Sequence, residues 1–205
     1  MKFYNQNIVK KVRKLRKEGL PTGKISRKLK VPPDAVLRWC FDIPSKNAGH
    51  LRFLKIKDKL KHKGCENVKD FIISKNNAKI IASLIYWCEG FRYPSCNCVG
   101  FSNSDLNLVK TFLELFRIGF DPKEEKFRAH LQLHTTHDRK EMLSFWSNLL
   151  KIPKNQFHKP TITKPMNKMK RIGYKGTCTV KYYDFILYNE IIGIYEAFSK
   201  KIFEK

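Results

Sequence analysis

Apolar and polar side chains alternate most regularly between Lys126 and His134, and this period of two predicts a β-strand. A second segment, Gly176–Tyr182, alternates in the same way. One side of each predicted strand is apolar, and the other carries Arg128, His130, Gln132, His134, Thr177, Thr179 and Lys181. Because arginine and glutamine can hydrogen-bond to base edges in the major groove, the polar side would suit DNA. The alternative is an ordinary strand with one face in water.

Helical periodicity and capping residues predict the other elements in the second part of the chain. Helices are expected over residues 77–90, 106–118, 138–150 and 184–203, with further strands near residues 91–93, 98–102 and 156–163. Asn77, Asp105 and Asp184 are the expected N-caps, and Gly90 is expected to end its helix in a left-handed turn. The predicted fold class is therefore α+β, with the order α-β-β-α-β-α-β-β-α over residues 75–205.

The first 48 residues predict a small all-α domain of three short helices. Thr22 is the expected N-cap of the second helix, and Pro32 and Pro33 separate it from the third. The segment 25–39 resembles the helix-turn-helix of resolvases and related regulators, a likeness that would place Arg27, Lys28 and Arg38 on DNA. The alternative is a basic three-helix packing element that reads no bases. Residues 49–74 are expected to form a basic helical linker.

The charge balance narrows the possible partners. The 205 residues include 42 Lys and Arg against 18 Asp and Glu, a formal net charge of +24. So large an excess favours a polyanionic partner, with nucleic acid first and an anionic membrane surface second, and disfavours an ordinary small-metabolite enzyme. The sequence shows no signal peptide and no apolar run long enough to span a bilayer, so a cytoplasmic protein with reduced thiols is expected, associated with the nucleoid when bound to DNA.

One predicted helix carries a resemblance to a nuclease family. Residues 82–90, which read Ala-Ser-Leu-Ile-Tyr-Trp-Cys-Glu-Gly, resemble the nine-residue signature helix of the LAGLIDADG homing endonucleases. Glu89 falls on the final acidic position and Gly90 on the final glycine, whereas Trp87 replaces an acid that is not a metal ligand. The resemblance covers residues 75–205 and implies one αββαββα half with one inserted helix. It also implies Mg²⁺ as cofactor, with Glu89 and Gly90 as the metal-site positions.

The resemblance further implies a site-specific endonuclease that hydrolyses both strands of DNA. Because only one signature helix is present, a homodimer is expected, with an interface formed by Ala82, Ser83, Ile85 and Tyr86. A lysine often assists catalysis in this family, and by position the candidates here are Lys159, Lys175 and Lys181. Arg92 is expected to contact DNA, and Tyr93 and Gln132 to surround the site.

Other interpretations of the same residues stay open. A bacterial regulator that joins this fold to a helix-turn-helix would bind DNA without cutting it, and an intron splicing factor would bind RNA. Zinc is a weaker hypothesis for Cys96, Cys98, His130, His134 and His137, because their spacing lacks the paired pattern of structural zinc sites.

Overall fold

The computed structural model describes residues 6–44, 48–93, 96–164 and 173–204. Contacts divide the chain into two compact units, Met1–Phe71 and Ile72–Lys205, and each unit is described by itself. The described residues contain no helix that is both long and apolar enough to cross a bilayer.

In its described residues, the first unit contains four helices, at Gln6–Lys17 (α1), Thr22–Leu29 (α2), Pro33–Trp39 (α3) and Ala48–Lys69 (α4). The first three pack around Val12, Ile25 and Val36, which are fully buried. Pro21 rather than Thr22 stands at the N-cap of α2, and it offers no side-chain acceptor, so the predicted threonine cap is wrong. The helix expected over residues 49–74 is present as α4, and its described side chains are exposed except for the partly exposed Leu54.

The second unit is a mixed α+β structure, which confirms the predicted fold class. Its elements are Lys75–Glu89 (α5), Val99–Asn103 (β1), Leu106–Phe120 (α6), Phe127–His134 (β2), Arg139–Leu150 (α7), Thr161–Thr163 (β3), Thr177–Tyr182 (β4) and Phe185–Phe203 (α8). Asp105 and Asp184 cap α6 and α8 as predicted, because each side chain accepts hydrogen bonds from the first helical N–H groups. The cap of α5 is Ser74 instead of Asn77, and this helix therefore begins two residues before the predicted cap.

The part of the sheet that the structure describes has four strands in the order β1-β4-β2-β3. Strand β4 lies antiparallel to both β1 and β2, whereas β3 lies parallel to β2. The strand expected at residues 91–93 is reduced to one antiparallel bridge between Gly90 and Phe101. The strand expected over 156–163 is preceded by a 3-10 turn at Lys154–Gln156. Within it, Phe157 forms one isolated bridge to Ala129, and the last three residues pair as β3.

The helices cover one face of this sheet, called the back face here, and leave the other, the front face, open. Phe101, Phe127, Leu133 and Cys178 point to the back and are at most 1 % exposed. Helix α5 lies between α6 and α8: the ring of Tyr86 stacks on Phe112 of α6 and meets Tyr188 of α8 edge-on. Because the back face is packed, the positions of the strands are fixed, and these positions set where the side chains of the front face project.

Candidate nucleic-acid interface and acidic site

Polar side chains from β2 and β4 line up on the front face. The strand register sets Arg128 opposite Lys181, His130 opposite Thr179, and Gln132 opposite Thr177. Exposure alternates with burial along both strands, and this confirms the predicted division into an apolar and a polar side. Strand β1 adds Ser102, whose hydroxyl lies 2.8 Å from that of Thr179.

These side chains border a groove of about 390 Å³, called the front groove here. It is lined by Phe91, Arg128, Ala129, His130, His158, Thr179, Lys181 and Tyr183. The backbone holds Arg128 in place, because its Nη1 donates to the carbonyl oxygens of Glu125 and Phe127, each at 2.7 Å. The front groove therefore carries two cationic side chains, Arg128 of β2 and Lys181 of β4, beside neutral hydrogen-bonding groups.

His130 is one of those neutral groups. Its Nε2 lies 3.0 Å from the hydroxyl of Thr161 in β3. Burial lowers the pKa of His130 below its usual value, and the neighbouring His158 and Lys181 lower it further. At neutral pH the imidazole is therefore uncharged and can act as either a donor or an acceptor.

The acidic site lies at the C-terminal end of α5. Glu89 is exposed there, and its Oε2 accepts a hydrogen bond of 3.1 Å from Nδ2 of Asn103. The Oδ1 atom of Asn103 accepts the backbone N–H of Asp105 at 2.9 Å, so the amide must turn its NH₂ group toward Glu89. Among the residues that the structure describes, no Lys, Arg or His forms an ion pair with Glu89.

Gly90 follows Glu89, but not for the reason predicted. Its φ of −81° and ψ of 165° are extended, so the expected left-handed turn is wrong. A Cβ atom at Gly90 would lie 2.4 Å from the ring of Tyr86, and the glycine is required by this close approach. The hydroxyl of Tyr86 donates to the carbonyl of Phe91 at 2.5 Å, which ties the segment after Glu89 to the core.

The three candidate lysines lie in different surroundings. Lys181 lines the front groove. Lys175 lies 3.5 Å from Glu141 of α7 and 5.3 Å from the centre of the Phe145 ring, contacts that assign it to α7 instead of the front groove. Lys159 is exposed in the segment before β3. Of the three, Lys181 is thus the one that shares a groove with other predicted DNA-binding residues.

The remaining predicted positions divide between the two units. Arg92 and Tyr93 line a shallow depression together with Gly90 and Phe91, directly after Glu89. In the first unit, Arg27, Lys28 and Arg38 are exposed on α2 and α3. These three side chains are therefore accessible to a polyanion.

The structure corrects the expected dimer interface. Ala82, Ser83 and Tyr86 are fully buried within a single chain, so they are not available to a second copy. Ser83 lies one helical turn from Lys79 and one from Trp87. Both of these residues contact α8: Lys79 pairs with Glu190, and the ring of Trp87 stacks on Tyr195 at 5.2 Å. The side of α5 that carries Ser83 therefore packs on α8. Ile85 is half-buried.

The histidines and cysteines considered for zinc contact backbone groups, aromatic rings and each other. His137 Nδ1 accepts the backbone N–H of His134, and its Nε2 lies 3.0 Å from the carbonyl oxygen of Tyr174, so backbone groups engage both ring nitrogens. His134 lies against the rings of His137 and Tyr174. Burial raises the pKa of Cys98 to about 11, with the Cys96 thiol 3.7 Å away. Within the described ranges, no three His, Cys, Asp or Glu side chains group as a metal site would require.

Sequence reasoning missed four contributors to these sites. Phe91 follows the bridge at Gly90 and Tyr183 follows β4, so both lie outside the alternating segments. His158 reaches the front groove through a hydrogen bond from its backbone N–H to the Ala129 carbonyl at 2.8 Å. The Asn103–Glu89 contact joins positions 14 residues apart. The one sequence feature that could have indicated this contact is the position of Asn103, two residues before the N-cap Asp105.

Searches against protein-family models, curated proteins and solved structures give no match for the chain.

Proposed function

We propose that the chain is a Mg²⁺-dependent, site-specific endonuclease of the LAGLIDADG type, which cuts double-stranded DNA as a homodimer. The observation that carries the proposal is the Glu89 carboxylate. It is exposed at a helix C-terminus, held by Asn103, and has no cationic partner among the described residues. Because the helix dipole disfavours an anion there, a function that needs the anion accounts for its presence.

The arrangement of the second unit supports the family likeness within this proposal. Its elements run close to the order of one αββαββα half, with the bridge at Gly90 in place of the first strand, α7 as the inserted helix and the three-residue β3 as an additional strand. The signature segment forms the C-terminal part of α5, and Glu89 ends the helix.

The donor chemistry at Glu89 fits Mg²⁺. This cation is commonly held through one or two carboxylates together with substrate phosphate oxygens and water. Glu89 would supply the carboxylate from each subunit, beside the backbone of Gly90. When bound, the metal supplies charge neutralisation at the phosphate and a water of lowered pKa.

The chain's own residues bind and orient the DNA. Lys181 and Arg128 offer cations to its phosphates from the front groove, and Gln132 and Thr177 offer hydrogen bonds beside them. Asn103 orients the Glu89 carboxylate. Arg27, Lys28 and Arg38 of the first unit add contacts at a second part of the DNA.

A homodimer is part of the proposal because each chain provides one Glu89 for two DNA strands. With Ser83 and Tyr86 buried, the side of α5 left for a partner carries Ile80, Leu84 and Cys88, spaced four residues apart. Ile80 and Leu84 are partly exposed, and Cys88 is exposed. This apolar stripe is the surface through which we expect two copies to pair.

A second candidate is a DNA-binding regulator that does not cut. The exposed cations on α2 and α3 favour it, since they would bind DNA whether or not Glu89 has a catalytic role.

Glu89→Gln separates the two candidates. This change removes the anion and keeps the shape, so the nuclease should retain its fold and its DNA binding in EDTA but lose at least about 100-fold in cleavage rate with Mg²⁺. Glu125→Gln, at an exposed carboxylate before β2, makes the same charge change and should cut at the wild-type rate. Equal cleavage by the wild type and Glu89→Gln would contradict the nuclease mechanism, and DNA binding without any cleavage would favour the regulator.

A further inference from the structure

The ring of Phe91 is fixed at the edge of the front groove. Its backbone N–H donates to the carbonyl oxygen of Gly100 at 2.8 Å, and its own carbonyl accepts from the Tyr86 hydroxyl at 2.5 Å. A Cβ atom at Gly100 would lie 2.4 Å from Cδ2 of Phe91, so the ring lies directly against the Gly100 backbone. The backbone of Phe91 is therefore anchored to β1 and α5, and its ring lies against β1.

Phe91 borders two depressions at once. One is the front groove, with its cations Arg128 and Lys181, and the other is the depression formed with Gly90, Arg92 and Tyr93 directly after Glu89. A second aromatic side chain, Tyr183, lines the front groove with 54 % of its surface exposed. Aromatic rings, cations and neutral hydrogen-bonding groups thus meet beside the acidic site.

This combination suits an unpaired nucleotide better than the surface of an intact duplex. In paired DNA the faces of the bases are stacked on each other, and a site for its backbone needs only cations and amides. Aromatic side chains beside a cationic groove are typical of proteins that stack single bases. The front groove, at about 390 Å³, is also within the size range of small-ligand sites.

We propose that the front groove binds one unpaired nucleotide of the DNA, with its base stacked on Phe91 and its phosphate held by Arg128 and Lys181. The inference rests on the proposed function for the choice of DNA as ligand, but it does not rest on cleavage. His130 and His158, which line the same groove, would offer hydrogen bonds to the base. A substrate that is bent or unpaired at this point would be preferred over a regular duplex.

The test compares two DNA ligands without Mg²⁺, using the full chain. A fluorescent duplex with a single-nucleotide bulge and the same duplex without the bulge are titrated by anisotropy, and 2-aminopurine at the bulge reports stacking. The wild type should bind the bulged duplex at least about 5-fold more tightly, the lower end expected for one base–aromatic stack, and should quench the 2-aminopurine. Equal affinity for the two duplexes, or unchanged 2-aminopurine fluorescence, would overturn the proposal.

Variants then assign the effect to the ring. Phe91→Leu should lose most of the preference for the bulge while its affinity for the regular duplex stays within about 2-fold, because one stacking partner is removed and no cation. Trp87→Leu, which removes a 38 % exposed aromatic from α5 outside the groove, is the matched control and should keep the preference. A folded Phe91→Leu protein with the full preference would overturn the assignment. If Phe91→Leu does not fold, the wild-type quenching decides.

Two further measurements distinguish a failure of this inference from a failure of the proposed function. Glu89→Gln should show the same bulge preference, so a protein that prefers the bulge but never cuts would refute only the nuclease. A protein that cuts with no preference would refute only the nucleotide site. Tighter binding of a bulged RNA duplex than of the bulged DNA would overturn the choice of DNA.

Discussion

Asn103 can present its NH₂ group to Glu89 because its carbonyl oxygen is committed to the Asp105 N–H. The carboxylate of Glu89 therefore has one defined neighbour although the side chain is exposed. In metal sites, hydrogen bonds of this kind orient the ligand and sustain metal affinity. The contact makes Asn103 a positioning residue for the proposed reaction.

Asn103→Ala should weaken the apparent Mg²⁺ affinity in cleavage by about 10- to 100-fold, the range for such supporting contacts. Half-saturation by Mg²⁺ is the measurement, because a purely structural defect would lower the amount of active protein without moving this midpoint. Asn107→Ala, at an exposed position in the first turn of α6, is the control. An unchanged midpoint in Asn103→Ala would remove Asn103 from the site.

His130 gives the front face a dependence on pH. Its lowered pKa keeps it neutral at pH 7 in the free protein, and nearby phosphates favour the imidazolium. DNA affinity should therefore rise as the pH falls from about 7.5 to 5.5, by at most about tenfold per pH unit for one coupled proton. The same lowered pKa makes the free folded chain lose stability below about pH 6.5, because the unfolded chain binds the proton more readily.

His130→Gln keeps a hydrogen-bonding group toward Thr161 and removes the titration. The measurement is the dissociation constant at constant ionic strength between pH 7.5 and 5.5. The variant should show a smaller pH dependence than the wild type, and an identical dependence in both would contradict a role for His130.

At this scale, the sequence predicted which side chains share a face but not which ones touch. Alternation is a local property of β2 and β4, so Arg128, His130 and Lys181 could be assigned to one side in advance. The contact between Asn103 and Glu89 depends on how α5 meets β1. The position of Phe91 depends on the missing side chain at Gly100, and no periodicity encodes it.

The hydrophobic pattern of helix α5 does not determine which of its faces is exposed to solvent. The helix is apolar on nearly every side, since it packs on α6, α8 and the sheet, and such a helix has no face that its sequence marks as external. The expected interface at Ser83 was wrong for this reason. The caps of α6 and α8, in contrast, were predictable because each needs one side chain at one position.

Two neighbouring substitutions in α5 should therefore act differently. Ile80→Glu places a charge on the partly exposed stripe and should weaken self-association while the monomer stays folded. Ser83→Phe enlarges a fully buried side chain against α8 and should destabilise the fold by about 1–3 kcal/mol.

Sedimentation velocity and thermal unfolding of both variants check this expectation. A protein that is monomeric over the whole concentration range, with and without DNA, would contradict the homodimer. An Ile80→Glu variant that dimerises as the wild type does would show that another surface pairs the subunits.

For the whole molecule, the net charge of +24 predicts a strong dependence of DNA binding on salt. If α2 and α3 bind phosphates, replacing Arg27, Lys28 and Arg38 by alanine should lower the log–log slope by about 0.9 for each phosphate that is no longer neutralised. The control replaces Lys110, Lys140 and Lys200, exposed on three helices of the second unit, and changes the net charge equally. Equal slopes for the two triple variants would show that α2 and α3 do not bind phosphates.

The most direct test of the proposed nuclease is to map the ends produced from a randomised library of DNA duplexes. The full chain is incubated with the library in Mg²⁺ or in EDTA, and the new ends on both strands are sequenced. The proposal predicts ends at a small set of related, nearly palindromic sites, cut on both strands, with Mg²⁺ only, and at least about 100-fold fewer of them with Glu89→Gln. A wild-type protein that binds this library but produces no new ends in Mg²⁺ would contradict the account.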